Sequence, residues 1–389
     1  MLNWRKLHRR IHKWLGLSLG LLFCVIALTG SLLVFYDELD QSLNISHSNE
    51  LDQSLNISHS KLQSNASPNF SNALNTLRKQ YPDKQGSWRF EVTANAELIP
   101  ARYYNPPETQ QLEFAPLMVW LSRDGNTILR HDYWGQYLMT WLYNLHFTLL
   151  LGNTGTWLLG YAGLAILYLL FSGLFAWWPK RGQWQRQIKF KKRPSPIGRL
   201  YDWHKLLGLI FIIPLVILSV TGVMLALPKE STAILIKITG PIDTAEAPVN
   251  PYGTDADNTI IEPNTALSLA LNTLPNSRGA WIKTPATNGN PFYYRVRVQT
   301  KGDPSRRFPH SYVYIDGHTG EISEVFDYQK QGTSTTILNW LHPIHDGSFL
   351  NLTGRITWLF SGLAVGVLFI LGAMRWFIRN QHKGKKSPS

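Results

Sequence analysis

Residues 12–30 read HKWLGLSLGLLFCVIALTG, and residues 204–222 read HKLLGLIFIIPLVILSVTG. The two stretches align without a gap, from a His-Lys pair at the start to a Thr-Gly pair at the end. After its lysine, neither stretch contains a charged residue. A helix on the surface of a soluble core would show polar residues every three or four positions. The pattern therefore favours helices that cross a membrane.

Four apolar runs of this kind are present, at residues 14–35, 155–178, 206–227 and 356–378. Each is long enough, at about 1.5 Å of rise per residue, to cross a hydrocarbon core of about 30 Å. The first run is too long for the apolar region of a signal peptide and lacks a small-residue cleavage site. We therefore expect four retained transmembrane helices.

The formal net charge of +13 is distributed unevenly. Residues 1–13, 179–205 and 375–389 hold 19 of the 38 basic residues and one of the 25 acidic residues, a net charge of +18. The rest of the chain is left with −5. Short basic segments beside membrane spans lie in the cytoplasm. The charge thus predicts cytoplasmic termini and outward-facing segments at 36–145 and 228–345, and it offers no support for a nucleic-acid partner.

The single cysteine, Cys24, limits the cofactors that the chain can hold. One thiol cannot form a disulfide framework, a Cys-ligated iron–sulfur cluster or the C-x-x-C-H attachment of a covalent haem. Any redox metal must depend on other donors.

The two outward segments have the pattern of α+β modules. Helical periodicity predicts helices at residues 72–80 and 265–274, and alternation predicts strands at 117–121, 127–131, 293–298 and 311–315. An 11-residue stretch, ELDQSLNISHS, occurs twice in tandem, at 38–48 and 50–60. Such a copy is typical of an insertion in an exposed loop.

These features predict an order of segments along the chain. They are the N-terminus with span one (1–35), the first outer domain (36–137), span two with its lead-in (138–178), a basic loop (179–203), span three (204–227), the second outer domain (228–340), span four with its lead-in (341–378) and a tail (379–389). Each half is then helix, outer domain, helix. The fold class that follows is a membrane protein of four transmembrane α-helices in two repeats related by a pseudo-two-fold axis along the membrane normal.

The repeat places four histidines at matched positions. His12 and His204 precede a Thr-Gly pair by the same interval at the inner ends of spans one and three. His146 and His345 each precede a glycine by nine residues at the outer ends of spans two and four. Symmetry mates can face each other across the axis, and two facing imidazoles are the ligands of a bis-histidine haem. We therefore expect two haem b groups, one for each pair.

Two alternatives among the histidines stay open. His342 competes with His345 because Leu341-His342 resembles Leu145-His146, although that alignment needs a gap. His342 and His345 also form an H-x-x-H pair that could bind zinc, but no third ligand is evident. His8 lies one helical turn before His12 and could replace it.

Basic residues are also frequent in the second outer segment. Four of them could attract an anionic substrate: Arg295, Arg297, Arg306 and Arg307. The alternation at residues 294–298 is explained equally well by the solvated face of a strand.

Several motifs resemble a known family. HKWLGL at 12–17, LHFTLLLG at 145–152, YIDGHTGEI at 314–322 and IHDG at 344–347 together resemble the PepSY-associated transmembrane family of iron-regulated bacterial inner-membrane proteins. The likeness covers nearly the whole chain. It implies two periplasmic PepSY-like domains and, as in the family's ferric-siderophore reductases, two b-type haems held by histidines. The implied ligands fall on His12, His204, His146 and His345. The first outer domain departs from the pattern, with RDGNT at 123–127 in place of a full Asp-Gly-x-Thr-Gly turn.

The resulting functional hypothesis is a haem-dependent oxidoreductase that spans the inner membrane. It would reduce an Fe(III)–siderophore in the periplasm and release Fe(II), with electrons from an unidentified cytoplasmic or quinol donor. Two alternatives remain. One is a di-haem oxidoreductase with another acceptor, such as a quinone or a different metal chelate. The other is a non-enzymatic membrane protein whose PepSY-like domains bind a regulatory partner.

Overall fold

The computed structural model describes residues 4–43, 67–93, 98–191, 193–249, 260–287 and 291–384. It divides into two compact units, each built from both halves of the chain. The helical unit comprises Met1–Tyr36, Leu142–Thr232 and Leu341–Ser389, and the sheet unit comprises Asp37–Trp141 and Ala233–Trp340. The second copy of the tandem repeat, and the first from residue 44 onward, lie outside the described residues.

The secondary structure follows in chain order. The main helices are α1 (Trp4–Ser18), α2 (Gly20–Leu33), α3 (Phe70–Gln80), α4 (Leu138–Thr148), α5 (Gly152–Trp177), α6 (Trp184–Ile188), α7 (Pro196–Ala226), α8 (Pro228–Thr239), α9 (Pro263–Thr273), α10 (Thr333–Asp346) and α11 (Asn351–Gly384). The strands are β1 (Trp88–Glu91), β2 (Leu98–Tyr103), β3 (Leu117–Ser122), β4 (Ile128–Tyr133), β5 (Arg278–Lys283), β6 (Tyr293–Gln299), β7 (Ser311–Asp316) and β8 (Ile322–Phe326). Short 3₁₀ turns occur at Pro107–Thr109, Tyr328–Lys330 and Ser348–Leu350.

Three helices, α5, α7 and α11, are long and apolar enough to cross a membrane, and α1 with α2 forms a fourth candidate if the pair is one span. The pair is bent by 61°, where the sequence predicts one uninterrupted run from residue 14. The bend lies between Ser18 and Gly20. The Ser18 hydroxyl donates a 2.9 Å hydrogen bond back to the Trp14 carbonyl. Serine bonds of this kind and nearby glycines are common causes of helix kinks.

Helix α7 begins at Pro196, inside the segment predicted as a loop at 179–203. Proline is favoured in the first turn of a helix because its missing N–H needs no partner there. Asp202, fully buried, accepts hydrogen bonds from Arg193 Nε at 2.7 Å and Lys205 Nζ at 3.2 Å. Because a buried charge without a partner is costly, these contacts favour an ordered helix where the sequence predicts a loop.

Close packing between α2, α7 and α11 forms the centre of the helical unit. Cys24, Leu215 and Val365 are its buried core. A Cβ on Gly20 would lie 2.5 Å from the Phe369 ring, so only glycine allows this contact between α2 and α11. Small residues let helices approach in this way where no aqueous hydrophobic effect drives their association.

The sheet unit contains one antiparallel sheet of eight strands, in the order β4-β3-β2-β1-β5-β6-β7-β8. The two outward segments predicted as separate modules each contribute four of these strands. They meet where β1 pairs with β5, with Phe90 opposite Ile282 and Arg89 opposite Lys283. Backbone hydrogen bonds therefore continue across the junction.

One hydrophobic core lies between the sheet and helices α3 and α9. It combines Phe90 and Leu77 from the first segment with Ile282 and Ala266 from the second, all fully buried. Strand alternation explains the pattern, since residues two apart point to the same face. In β6, for example, the core-facing residues alternate with arginines on the opposite face.

The predicted elements of the sheet unit have counterparts in the structure. Helices α3 and α9 and strands β3, β4, β6 and β7 coincide with the predicted positions to within two residues. Sequence patterns did not predict β1, β2, β5 and β8. Strand β1 has only four residues, β2 contains Pro100, which disfavours a strand, and β8 is largely exposed.

Candidate functional site: two facing histidine pairs

The structure brings each predicted histidine pair together within the helical unit. The ring centroids of His12 and His204 are 6.2 Å apart, with an angle of 84° between the ring planes. The centroids of His146 and His345 are also 6.2 Å apart, at 44°. The first pair joins α1 to α7 and the second joins α4 to α10. The two halves of the chain thus contribute one residue to each pair.

Each ring is held by a main-chain carbonyl of a different helix. A carbonyl oxygen can only accept, so an Nδ1 bonded to it must carry the hydrogen and donate it. The partners of Nδ1 are Leu169 for His12 at 3.0 Å, Leu368 for His204 at 2.9 Å and Ile26 for His146 at 2.9 Å. The His345 ring has a hydrogen bond to the Leu218 carbonyl, and its Nδ1 lies 2.9 Å from Thr221 Oγ1, which donates its own hydrogen to the Ile217 carbonyl. This tautomer leaves the lone pair on Nε2, the nitrogen that a metal ion would use.

A glycine lies four residues after each of these carbonyls. Residues four apart stack on one face of a helix, so carbonyl and glycine form a shallow cradle for the ring. A Cβ at the glycine would lie close to Cε1 of the histidine: 2.8 Å for Gly173 and His12, 3.4 Å for Gly372 and His204, 2.8 Å for Gly30 and His146, and 3.2 Å for Gly222 and His345. At Gly173 and Gly30 an added Cβ would force the ring or the helix to move, at Gly222 the contact would be tight, and at Gly372 it would be an ordinary van der Waals contact.

Three of the four cradles also contain a hydroxyl group, one residue before the glycine. Ser172 Oγ lies 3.2 Å from His12 Nδ1, Thr29 Oγ1 lies 3.2 Å from His146 Nδ1, and Thr221 Oγ1 lies 2.9 Å from His345 Nδ1. The His204 cradle has Leu371 at the corresponding position. The hydroxyls give the ring nitrogen a second polar neighbour and oppose ring rotation.

The sequence indicated only part of this arrangement. The Thr-Gly pairs at 29–30 and 221–222 served as landmarks of the repeat on the helices of His12 and His204. In the structure they receive the rings of His146 and His345 instead. The cradles for His12 and His204 were missed. The sequence feature that could have indicated these two cradles is a leucine followed four residues later by a glycine. It occurs at matched positions in span two (Leu169 and Gly173) and span four (Leu368 and Gly372).

The matched interval from histidine to glycine marks a tight turn between helices. A Cβ on Gly155 would lie 1.6 Å from the Thr148 carbonyl oxygen, and a Cβ on Gly354 would lie 2.2 Å from that of Gly347. Glycine is therefore required where the backbone at the start of α5 or α11 touches the end of the helix that carries the histidine. The turn sets the position of that histidine relative to the following span.

The two alternate histidines have other positions. His8 stacks on Phe175, with ring centroids 5.4 Å apart, and its Nδ1 lies 3.2 Å from the Tyr168 hydroxyl. His342 lies one helical turn before His345 on α10. The residue that faces His146 is His345.

The geometry of the pairs fits a metal ion held between two imidazoles. A nitrogen–metal bond of about 2 Å on each side, plus about 1 Å from each nitrogen to its ring centre, gives a centroid separation of about 6 Å. Both pairs have this separation. Across the described ranges, no three His, Cys, Asp or Glu side chains come together to hold a metal ion. A haem needs only two protein ligands, because its ring supplies the other four.

Comparison with known proteins identifies the family. The sequence pattern described as the PepSY-associated TM region matches residues 9–379, nearly the whole chain. A search of curated proteins finds no match.

Proposed function

We infer the function from the premise that this chain belongs to the PepSY-associated TM family, whose match covers residues 9–379. The protein is a membrane protein, and we propose that it transfers electrons across the bacterial inner membrane to an Fe(III)–siderophore. The observation that carries this proposal is the matched geometry of the two histidine pairs, each 6.2 Å between ring centroids.

The proposed topology has four spans, α1 with α2, α5, α7 and α11. Both termini and the basic segment at 179–205 lie in the cytoplasm, since these segments carry the +18 of excess charge. The sheet unit then lies in the periplasm, as two joined PepSY-like domains. His12 and His204 belong to the cytoplasmic side, and His146 and His345 to the periplasmic side.

Each histidine pair is proposed to hold one haem b. A bound haem would supply reversible one-electron chemistry. The chain's own residues would position it. The Nδ1 hydrogen bonds of the four rings would fix the tautomer and leave Nε2 available as the ligand, and hydrogen bonds of this kind raise the basicity of a ligating histidine. The glycine cradles let each ring lie against its supporting helix.

The proposed substrate is a ferric siderophore, with the iron as cargo. Fe(III) is a hard ion that oxygen donors bind tightly, and the addition of one electron produces Fe(II), which the same donors bind less strongly. The siderophore keeps its atoms, and the electron comes from a cytoplasmic or quinol donor. The protein need only hold the complex near the periplasmic histidine pair, so no acid–base residue is required.

An absorbance spectrum of the purified protein tests the proposal first. After expression with sufficient haem, we expect a Soret band and, on reduction with dithionite, an α-band, with two haems per chain. Absence of both bands would exclude the haem hypothesis and favour a non-enzymatic PepSY protein. Anaerobic mixing of reduced protein with a panel of ferric siderophores tests the acceptor. Oxidation no faster with any of them than in buffer would favour a quinone or another chelate.

A further inference from the structure

One face of the eight-stranded sheet carries the hydrophobic core, and the opposite face carries a row of arginines and aromatic rings. The row crosses five adjacent strands of the sheet unit. Its members, in strand order, are Arg102 on β2, Arg89 on β1, Trp281 on β5, Arg297 on β6 and Tyr312 on β7. Three cross-strand pairs align it: Arg102 with Arg89, Trp281 with Arg297, and Arg297 with Tyr312. We call these five residues the arginine–aromatic row.

The guanidinium groups of the row are held against ring faces. The Trp281 ring lies between two of them, with Arg89 Cζ at 3.9 Å and Arg297 Cζ at 4.3 Å from its centroid. Arg297 also lies over the Tyr312 ring and donates a 2.7 Å hydrogen bond to its hydroxyl. Arginine held in this way loses little conformational freedom when it binds a ligand, because its planar donors are already oriented.

The row has more positive charge than its own contacts offset. Glu91 accepts a hydrogen bond from Arg89 at 2.7 Å and lies 3.6 Å from Arg102. Lys283 and Arg295 extend the positive charge along β5 and β6, on the same face. Glu91 therefore stands among five cations of the row and its flanks, and Asp303 also interacts with Arg297. The cations outnumber these carboxylates, so the field at this face favours anions.

Two buried donors of the row lack partners. Arg89 is only 6% exposed, and among the described residues its Nε and that of Arg102 have no hydrogen-bond acceptor. Burial, together with the charge of Arg102, lowers the pKa of Arg89 to about 10. Burial also lowers the pKa of Arg297. A buried donor without an acceptor is costly, and an anion beside the row would relieve the repulsion between the guanidinium groups.

We propose that the arginine–aromatic row binds a ferric chelate of net negative charge, through the charged oxygen donors and flat rings of its ligand. This inference rests on the proposed function and names the class of siderophore. Charge-assisted bonds from guanidinium to ligand oxygen are the strong hydrogen bonds of proteins. Ligand rings can also stack on guanidinium planes of the row.

Charge balance separates the two main classes of complex. Catecholate donors are dianions, so three of them outweigh the charge of Fe(III) and leave the complex negative. Hydroxamate donors are monoanions, so three of them only neutralise the metal. The row should therefore bind tris-catecholate complexes more tightly than neutral tris-hydroxamate complexes of similar size.

Ga(III) complexes provide a probe that binds like Fe(III) but accepts no electron under these conditions. The full-length protein in detergent would be titrated with a Ga(III) tris-catecholate and a neutral Ga(III) tris-hydroxamate, with calorimetry and tryptophan fluorescence as readouts. We expect the anionic complex to bind at least tenfold more tightly at low salt and to lose this advantage as salt rises. Equal affinity for both complexes would overturn the proposal.

Substitutions locate the site. Arg297→Gln and Arg102→Gln should each weaken binding of the anionic complex about tenfold or more, the loss of one charge-assisted bond. Arg297→Lys keeps the charge and should retain part of the affinity. Arg130 is a matched control, because it stacks on Trp120 at 4.3 Å but pairs with its own carboxylate, Asp132. Arg130→Gln should leave binding unchanged.

Folding is checked by thermal unfolding of each variant. Arg297→Gln and Arg297→Lys could both keep the unfolding temperature of the unaltered protein and its affinity for the anionic gallium complex. In that case the row has only a structural role and the proposal is wrong. The gallium titration does not depend on haem. A protein without a Soret band that still binds the anionic complex through the row would refute the proposed function and leave this inference standing.

Discussion

His146 and Ile26 are joined by a 2.9 Å hydrogen bond from the histidine Nδ1 to the main-chain carbonyl oxygen, and Gly30 lies one helical turn beyond that carbonyl. The same combination of ring, carbonyl and glycine recurs at the other three matched histidines. A ring fixed in this way has one tautomer and one orientation. The arrangement occurs four times, twice in each half of the chain. The helical unit therefore fixes the position and orientation of each histidine ring.

Replacement of the cradle glycine should displace the ring. In Gly30→Ala the new Cβ would lie 2.8 Å from His146 Cε1, which requires the ring or α2 to move. We expect the haem proposed for His146 and His345 to be lost or its reduction potential to change, with a stability cost of about 1–3 kcal/mol. Haem content by pyridine haemochrome assay and a redox titration measure this. Gly366→Ala, where a Cβ meets nothing within 4 Å, is the control and should change neither.

Removal of a proposed ligand should remove one haem. His146→Ala and His345→Ala should each leave about one haem per chain, because each pair is proposed to hold one group through two bonds. His342→Ala should keep both haems, since His345 is the residue that faces His146. The measured ratio of haem to protein shows whether His342 or His345 is the ligand. Loss of haem in His342→Ala with full retention in His345→Ala would show that the ligand assignment is wrong.

The shared core predicts that the two outer segments unfold together. Ile282→Ala removes a fully buried side chain at the β1–β5 junction and should cost about 2–5 kcal/mol. Hydrogen exchange should then accelerate in β2 as well as in β6. Ile322→Ala on β8, where the side chain is 40% exposed, should cost much less. Acceleration restricted to β5–β8 would indicate two independent domains.

The buried carboxylate beside His204 should be essential for the start of α7. In Asp202→Asn, Lys205, whose side chain is 3% exposed, loses its carboxylate partner, at a cost of about 3–5 kcal/mol. Thermal unfolding in detergent should show the loss, and haem held by His12 and His204 should be released first on heating. Arg193→Gln should have a smaller effect because Arg193 is 39% exposed. Equal stability of Asp202→Asn and the unaltered protein would contradict this role.

Membrane topology can be tested with single cysteines, because the native Cys24 is buried. Ser323→Cys, at an exposed position of β8, should react with a membrane-impermeant maleimide in intact spheroplasts. Gln185→Cys, exposed in α6, should react only after lysis. The opposite pattern would reverse the proposed orientation.

Local patterns in the sequence were sufficient to predict much of this protein. Apolar runs indicated the candidate spans. The clustering of basic residues predicts an orientation, and this stays a prediction. Both signals depend on neighbouring residues and on the contrast between water and hydrocarbon. The internal repeat selected His12, His204, His146 and His345 because symmetry-related positions recur at equal intervals.

Local sequence patterns could not predict which distant segments of the chain contact each other. The pairing of β1 with β5 joins two segments that the sequence presents as separate modules, and the carbonyl and glycine that support each histidine lie on another helix. The basic residues singled out from sequence were all in the second segment, whereas the row also takes Arg89 and Arg102 from the first. Such arrangements depend on which faces pack together, and side-chain alternation along one strand or helix carries no information about its partner.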